Sequence, residues 1–172
     1  MTQRHGLATL HGNPLTLTGT PVAVGDPAPD AVLVDNSLQP FALSSLRGKV
    51  AVIAAVPSLD TPVCDLQTRR FNTEAANLGS DVAIVTVSMD LPFAQKRWCG
   101  AAGIDRLTTV SDHKSAAFGE AYGVLIQELR LLARAVFVVD PQGVVRHAQI
   151  VKEISEQPDF DAALAAVKQA LG

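Results

Sequence analysis

From about residue 50 onward, apolar runs of strand length alternate with segments of helix length, and no other feature limits the fold as strongly. Residues 50–56 are apolar throughout, which is typical of a strand buried on both faces of a sheet. A helix is predicted over Pro62–Leu78, closed by Gly79, and the pattern repeats with a strand over residues 82–89 and a helix over Pro92–Ala102. This alternation predicts an α/β fold in which helices flank both faces of a central sheet.

The other predicted elements are shorter. They are an N-terminal β-hairpin (strands 7–10 and 15–18), a strand over 31–34, a helical turn over 44–48, a weak strand over 107–110, a helix over 115–122, strands over 134–139 and 144–151, and a closing helix over 159–171. A Pro-Gln-Gly turn at 141–143 makes the last two strands antiparallel, so a mixed sheet is expected. We predict one domain over residues 1–172, with residues 1–20 as a hairpin extension.

Charge and hydropathy argue against two classes of partner. The chain has 14 Lys and Arg against 17 Asp and Glu, a net charge of −3, and no basic cluster exceeds the pair Arg69 and Arg70. A nucleic-acid-binding surface is therefore not expected. The longest apolar run, residues 50–56, is far shorter than the roughly 20 residues of a membrane-spanning helix. The N-terminal residues lack the apolar core of a signal peptide, so a cytoplasmic location is expected.

Neither a metal ion nor a nucleotide is expected as a cofactor. The four histidines lack metal-ligand spacing and are expected at the surface: His5, His11, His113 and His147. The glycine-rich motifs that bind phosphates are also missing from the sequence.

The chain has two cysteines, Cys64 and Cys99, which do not form the CxxC pair of a thioredoxin-type dithiol. Thr61 is predicted to cap the helix and Pro62 to occupy its first position, which places Cys64 in the first turn. Unpaired backbone N–H groups and the positive end of the helix dipole would stabilise a thiolate there. The alternative is the usual role of a lone cysteine, a small buried hydrophobic side chain.

The segment from residue 57 to residue 64 reads Pro-x-x-x-Thr-x-x-Cys and resembles the active-site motif of the peroxiredoxins, in particular the bacterial thiol peroxidases. The resemblance continues through Arg-Trp-Cys-Gly (97–100), Ala-Tyr-Gly-Val (121–124), Leu-Leu-Ala-Arg-Ala-Val (131–136), Val-Lys-Glu-Ile (151–154) and the N-terminal hairpin. It implies a thioredoxin-like fold and an antioxidant enzyme, a thiol-dependent peroxidase that reduces hydrogen peroxide and organic hydroperoxides.

The resemblance also implies roles for four residues. Cys64 would be the peroxidatic cysteine, which attacks the hydroperoxide and becomes a sulfenic acid. Thr61 would orient the peroxide, Pro57 would shield the pocket from water, and Arg134 would stabilise the thiolate and the leaving oxygen. Displacing an alkoxide requires such donors aimed at the departing oxygen. Apolar neighbours favour burial of Arg134, and the alternative is a surface arginine with a buried stem.

By the same resemblance, Cys99 would be the resolving cysteine, forming an intramolecular disulfide with Cys64 that thioredoxin reduces. A disulfide requires Cα atoms about 4.4–6.8 Å apart, so one of the two helices is expected to unwind locally. Gly100 and Gly103 would favour unwinding of the Cys99 helix. The alternative is that Cys99 is a spectator and an external thiol acts instead.

The resemblance further implies a homodimer formed by helices beside the site, with Phe93 lining a pocket for bulky hydroperoxides. Two other function classes stay open. One is a non-enzymatic redox sensor or relay, which turnover with thioredoxin would distinguish from an enzyme. The other is a binding module with incidental thiols, in which a Cys64→Ser variant would behave like the parent.

The charged residues near Cys64 are expected to be structural or, in the case of Arg69 and Arg70, structural or interfacial. Asp60 and Asp65 would complement the positive end of the helix dipole. Arg69 and Arg70 follow Cys64 by five and six positions, so they are not its helical neighbours.

Overall fold

The computed structural model describes residues 2–172. In chain order, its elements are β1 (Gln3–Leu10), β2 (Asn13–Thr18), β3 (Val32–Val34), β4 (Pro40–Ala42), a 3₁₀ turn (Leu43–Leu46), β5 (Val50–Ala55), α1 (Pro62–Leu78), β6 (Val82–Ser88), α2 (Pro92–Ala102), β7 (Thr108–Ser111), α3 (Ala117–Ala121), β8 (Leu125–Ile126), β9 (Leu131–Leu132), β10 (Ala135–Val139), β11 (Val145–Ile150) and α4 (Phe160–Leu171). The predicted bounds of α1 and α2 are confirmed.

Within the described residues, seven strands form the central sheet in the order β11-β10-β5-β6-β7-β3-β4. β5, β6 and β7 run parallel, whereas β10 is antiparallel to both β5 and β11, so the predicted mixed sheet is confirmed. Every residue of β5 is buried, because this strand has a neighbour on each side and packed layers above and below. Its uninterrupted apolar sequence follows from that position.

The two faces of the sheet are covered by different helices, as predicted. On one face, Phe71 of α1 packs against Phe160 of α4, with ring centroids 5.2 Å apart. On the other face, Phe118 of α3 stacks on Tyr122 at 4.5 Å, and Tyr122 packs against Phe137 of β10 at 5.0 Å. These clusters hold α1, which carries Cys64, and β10, which follows Arg134, in fixed positions on the sheet.

The N-terminal hairpin is confirmed and belongs to a second sheet of four strands, in the order β1-β2-β8-β9. The sequence pattern does not predict β8 or β9, because each is two residues long and too short to show periodicity. The three residues of β4 escape prediction for the same reason.

The bounds of several short elements differ from the prediction. The helix expected over residues 115–122 is limited to α3, since Ala116 adopts a left-handed backbone conformation with φ of 55°. The helical turn expected over 44–48 is the 3₁₀ turn Leu43–Leu46, and the strand expected over 107–110 is β7. At the start of α4, Asp159 accepts a hydrogen bond of 3.0 Å from the N–H of Ala162.

No helix among residues 2–172 is both long enough and apolar enough to cross a membrane. In the same part of the chain, histidine, cysteine and carboxylate side chains form no group of three that could hold a metal ion. Two of the histidines expected at the surface, His113 and His147, are half-buried. His147 lies on β11, which α4 covers.

Candidate active site

The register of the sheet brings Cys64 and Arg134 together although they are 70 positions apart in the chain. β10 pairs antiparallel with β5, and Ala135 lies opposite Ala55. The residues that precede β10 therefore lie beside the residues that follow β5. Arg134 comes directly before β10, and the loop after β5 leads into α1, of which Cys64 is the third residue.

Cys64 lies in the first turn of α1 and is fully buried. The first hydrogen bond of the helix runs from the N–H of Asp65 to the carbonyl oxygen of Thr61 at 2.9 Å. The N–H groups before Asp65 therefore have no acceptor within the helix, as expected at a helix N-terminus. The Cys64 thiol lies at the positive end of the α1 dipole.

Arg134 is 1% exposed and donates to three different acceptors. Its Nη2 lies 3.0 Å from Cys64 Sγ, its Nη1 donates to Gln67 Oε1 at 2.6 Å, and its Nε donates to the carbonyl oxygen of Ile154 at 2.8 Å. This burial contradicts the alternative of a surface arginine. No carboxylate in residues 2–172 lies within ion-pair distance of Arg134. A buried cation needs a partner that carries negative charge. Among the three acceptors of Arg134, only the Cys64 sulfur can take a full negative charge.

Gln67 is a residue of the site that the sequence analysis missed. Its side chain is fully buried, its Oε1 accepts from Arg134, and its Nε2 has no hydrogen-bond partner among the described residues. Gln67 follows Cys64 by three positions and so lies on the same face of α1. This spacing is the signal from which Gln67 could have been found.

Thr61 and Pro57 both lie in the loop before α1. Thr61 occupies the predicted cap position, but its hydroxyl donates to the carbonyl oxygen of Ser58 at 2.9 Å and accepts no hydrogen bond from the helix. The predicted capping interaction is therefore wrong, because the Ser58 carbonyl engages the hydroxyl instead. The lone pairs of Thr61 Oγ1 remain free to accept a hydrogen bond from a ligand. Pro57 is buried.

A cavity of about 320 Å³ lies beside these residues. It is lined mainly by apolar side chains, and its lining residues are Leu10, His11, Pro57, Thr61, Pro62, Val63, Leu129, Leu131, Arg134, Ile154 and Ser155. Such a cavity fits an organic molecule that has a polar reactive end and an apolar body. The sequence holds no signal for it, since its walls come from four separate segments of the chain. Phe93 is 68% exposed and does not line this cavity, contrary to expectation.

Cys99 is half-buried on α2, and its Sγ lies 3.4 Å from Thr109 Oγ1. Both cysteines are free thiols, and each sulfur has its own polar neighbour. The residue next to Cys99, Trp98, packs against the apolar cluster that contains Cys64. The structure thus places the Cys99 helix against the Cys64 region while the two sulfurs remain unbonded.

Asp65 connects α1 to α2. Its Oδ1 accepts a 2.8 Å hydrogen bond from Trp98 Nε1, and its Oδ2 accepts one of 2.9 Å from Arg69 Nε. The Arg69 guanidinium also lies over the Trp98 ring, 5.8 Å from its centroid. We call Asp65, Arg69 and Trp98 the α1–α2 clamp. Asp65 therefore does more than complement the helix dipole, and Arg69 is structural, as expected.

Arg70 is also structural, since its guanidinium stacks 4.0 Å from the ring centroid of Phe160 on α4. Asp60 is exposed at the surface of the loop before α1.

The chain matches the Redoxin family over residues 23–164. It is 54% identical over 160 residues to the thiol peroxidase of Bacillus subtilis (strain 168), covering 93% of this chain and 95% of that protein. It is 52% identical over 160 residues to the thiol peroxidase of Staphylococcus aureus (strain MRSA252), covering 93% of this chain and 96% of that protein.

Two solved structures have the same fold. A peroxiredoxin-like protein from Aquifex aeolicus is 43% identical, with a TM-score of 0.90 over 99% of each chain. A thiol peroxidase from Chromobacterium violaceum is 21% identical, with a TM-score of 0.84 over 95% of this chain and 96% of that one.

Proposed function

The chain belongs to the thiol peroxidases of the Redoxin family, and from this we propose that it reduces hydroperoxides with Cys64 as the reacting thiol. One observation carries the assignment of the residue: the buried Arg134 guanidinium lies 3.0 Å from Cys64 Sγ, and no carboxylate in the described part of the chain pairs with it. A guanidinium and a helix N-terminus both stabilise a thiolate, which is the nucleophilic form of cysteine.

In the proposed reaction, a sulfur lone pair of the Cys64 thiolate attacks the terminal oxygen of the hydroperoxide. The S–O bond forms as the O–O bond breaks, so the sulfur is oxidised to a sulfenic acid and the peroxide is reduced. The departing alkoxide or hydroxide takes a proton and leaves as an alcohol or water. Arg134 stabilises the charge on the departing oxygen, and Thr61 Oγ1 accepts the hydrogen bond of the peroxide O–H.

The substrates that we propose are hydrogen peroxide and organic hydroperoxides. The apolar lining of the cavity supports the second class, because it can surround the hydrocarbon part of an alkyl or aryl hydroperoxide. Pro57, buried in the cavity wall, excludes water from the reacting sulfur.

The second step proposed is resolution by Cys99. Its thiolate attacks the sulfur of the Cys64 sulfenic acid, a disulfide forms, and the hydroxyl group leaves as water. A thioredoxin dithiol then reduces the disulfide and restores both thiols. Because Cys64 is buried against Arg134 and Cys99 against Thr109, local unwinding of α2 or of the first turn of α1 must precede the disulfide.

We place the protein in the cytoplasm as a homodimer. A reducing compartment keeps both cysteines free and supplies thioredoxin. Large apolar side chains on and beside α1 and α2 support the homodimer, since Leu66, Leu91 and Phe93 are 55–68% exposed. Sedimentation equilibrium should give twice the chain mass of 18.1 kDa, and a monomer at micromolar concentration would contradict the homodimer.

The proposed function is tested by adding one equivalent of cumene hydroperoxide to the reduced protein. We expect rapid loss of peroxide in stopped flow and an intact mass lower by two hydrogen atoms. Cys64→Ser should abolish peroxide loss, whereas Cys99→Ser should react once and gain the mass of one oxygen atom. If peroxide were lost no faster than with free cysteine, the proposed peroxidase activity would be refuted. A fully active Cys64→Ser variant would refute the assignment of Cys64 as the reacting thiol.

A further inference from the structure

The position of Arg134 depends on a segment that has no regular secondary structure of its own. The Arg134 Nε donates to the carbonyl oxygen of Ile154, which lies in residues 152–155 between β11 and α4. A hydrogen bond can orient the guanidinium only if its acceptor is itself held in place. Whatever fixes residues 152–155 therefore also fixes the group that contacts Cys64 Sγ.

Glu153 is the residue that ties this segment to the N-terminal hairpin. Its Oε1 accepts from Thr9 Oγ1 at 3.0 Å and from the N–H of Gly12 at 2.9 Å. Its Oε2 accepts from the N–H and the hydroxyl of Ser155 at 3.0 and 2.7 Å. Two backbone hydrogen bonds run in parallel, from Thr9 N–H to the Lys152 carbonyl at 2.7 Å and from Ile154 N–H to the Thr9 carbonyl at 2.9 Å.

A carboxylate suits this position because all four neighbours are donors. The Ser155 hydroxyl, followed by the N–H groups of Gly12 and Ser155, lowers the pKa of Glu153 to about 2. Glu153 is therefore ionised at neutral pH and accepts all four hydrogen bonds at once. An amide in its place would turn an NH₂ group toward two of the four donors.

The two segments that Glu153 joins also form part of the cavity wall. Leu10 and His11 from the hairpin, and Ile154 and Ser155 from the second segment, line the cavity, whereas Glu153 does not. Glu153 is thus placed behind the wall, without contact to the sulfur or to the space for substrate.

We propose that Glu153 is a positioning residue of the peroxidase, which fixes the Ile154 carbonyl and through it the Arg134 guanidinium against Cys64. This inference rests on the proposed function. It assigns the N-terminal hairpin a task in catalysis, because the hairpin supplies two of the four donors to Glu153.

The test is a Glu153→Gln variant of the full chain, compared with Glu156→Gln. Glu156 lies three residues further on, is exposed, and makes no side-chain hydrogen bond within residues 2–172. We expect kcat/KM for hydrogen peroxide to fall about tenfold in Glu153→Gln, since a displacement of about 1 Å in a catalytic group costs up to about 100-fold. Glu156→Gln should match the parent.

A second readout separates positioning from general destabilisation. A less well-oriented Arg134 stabilises the thiolate less, so the pH profile of Cys64 alkylation by iodoacetamide should move to higher pH in Glu153→Gln and stay unchanged in Glu156→Gln. Thr9→Val, which removes one donor and keeps the carboxylate, should shift the profile in the same direction by less. Urea unfolding of each variant checks that the protein remains folded under assay conditions.

If the parent is active and the folded Glu153→Gln variant has the same kcat/KM and the same pH profile of alkylation, the inference is overturned and the proposed function stands. An inactive parent would refute the proposed function itself.

Discussion

At the scale of single residues, the candidate site depends on how Arg134 is held. Its three donors reach the Cys64 sulfur, the Gln67 amide oxygen and the Ile154 carbonyl oxygen. A guanidinium presents its N–H groups in a rigid fork, so two fixed acceptors determine where the third donor points. Because Gln67 touches Arg134 and does not line the cavity, we expect it to act through the guanidinium as a positioning residue.

Replacing Gln67 tests this arrangement. Gln67→Met keeps the volume of the side chain but leaves Arg134 Nη1 without an acceptor, which costs about 1–3 kcal/mol in a buried site. We expect the rate of peroxide loss in stopped flow to fall about tenfold. Gln67→Glu keeps an acceptor oxygen but places a carboxylate beside Arg134 and the thiolate, so it should not recover the rate. If both variants react as fast as the parent, Gln67 does not position Arg134.

At the scale of elements, the α1–α2 clamp holds the helix of Cys64 against the helix of Cys99. Two of its contacts cross between the helices, the Trp98–Asp65 hydrogen bond and the Arg69–Trp98 cation–π contact, whereas the Arg69–Asp65 hydrogen bond lies within α1. Trp98 also packs beside the apolar cluster of Cys64. Unwinding of α2 or of the first turn of α1, which the proposed disulfide requires, must break the contacts of Trp98 with α1, so the clamp sets part of the cost of local unwinding.

Asp65→Ala should therefore accelerate disulfide formation after oxidation of Cys64. Loss of about 1 kcal/mol of clamp energy corresponds to a rate increase of roughly fivefold. The chain has one tryptophan, so the change in Trp98 fluorescence after a pulse of peroxide measures this step. The control is Asp60→Ala, which removes an exposed carboxylate from the loop before α1 and should leave the rate unchanged. An equal rate in Asp65→Ala would mean that the clamp does not limit unwinding.

At the scale of the whole molecule, the four-stranded sheet must dock correctly on the rest of the chain to complete the site. Gly19 lies where β2 ends, with φ of +111°, and a Cβ atom there would lie 2.2 Å from the carbonyl oxygen of Glu120. The adjacent Thr20 N–H donates to the same oxygen at 2.8 Å. Only glycine allows the two backbones to approach this closely.

Gly19→Ala is accordingly expected to destabilise the fold and to reduce peroxidase activity. The matched control is Gly6→Ala, which also has a positive φ, +75°, but no atom within 4 Å of a Cβ. Gly6→Ala should cost about 1–2 kcal/mol from the backbone conformation alone. Gly19→Ala should lower the urea midpoint further, because the clash with Glu120 is added. Equal midpoints for the two variants would show that the docking contact is not tight.

The elements that could be predicted from the sequence are those whose signals are local. Pro62 at the start and Gly79 at the end set the bounds of α1, and the unbroken apolar run identified β5 as a buried strand. Because the position of Cys64 depends only on where α1 begins, its placement in the first turn was also predictable.

The groups that meet at the sulfur are set by the fold, and the sequence implied Arg134 among them only through the resemblance to the peroxiredoxins. The register of Ala55 opposite Ala135 brings Arg134 to Cys64, and Glu153 reaches Thr9 across 144 positions. Neither β8 nor β9 is predictable, since two residues carry no periodicity. Caps and hydrophobic periods act over a few neighbouring residues, whereas strand register and the partners of buried polar groups depend on packing across the whole chain.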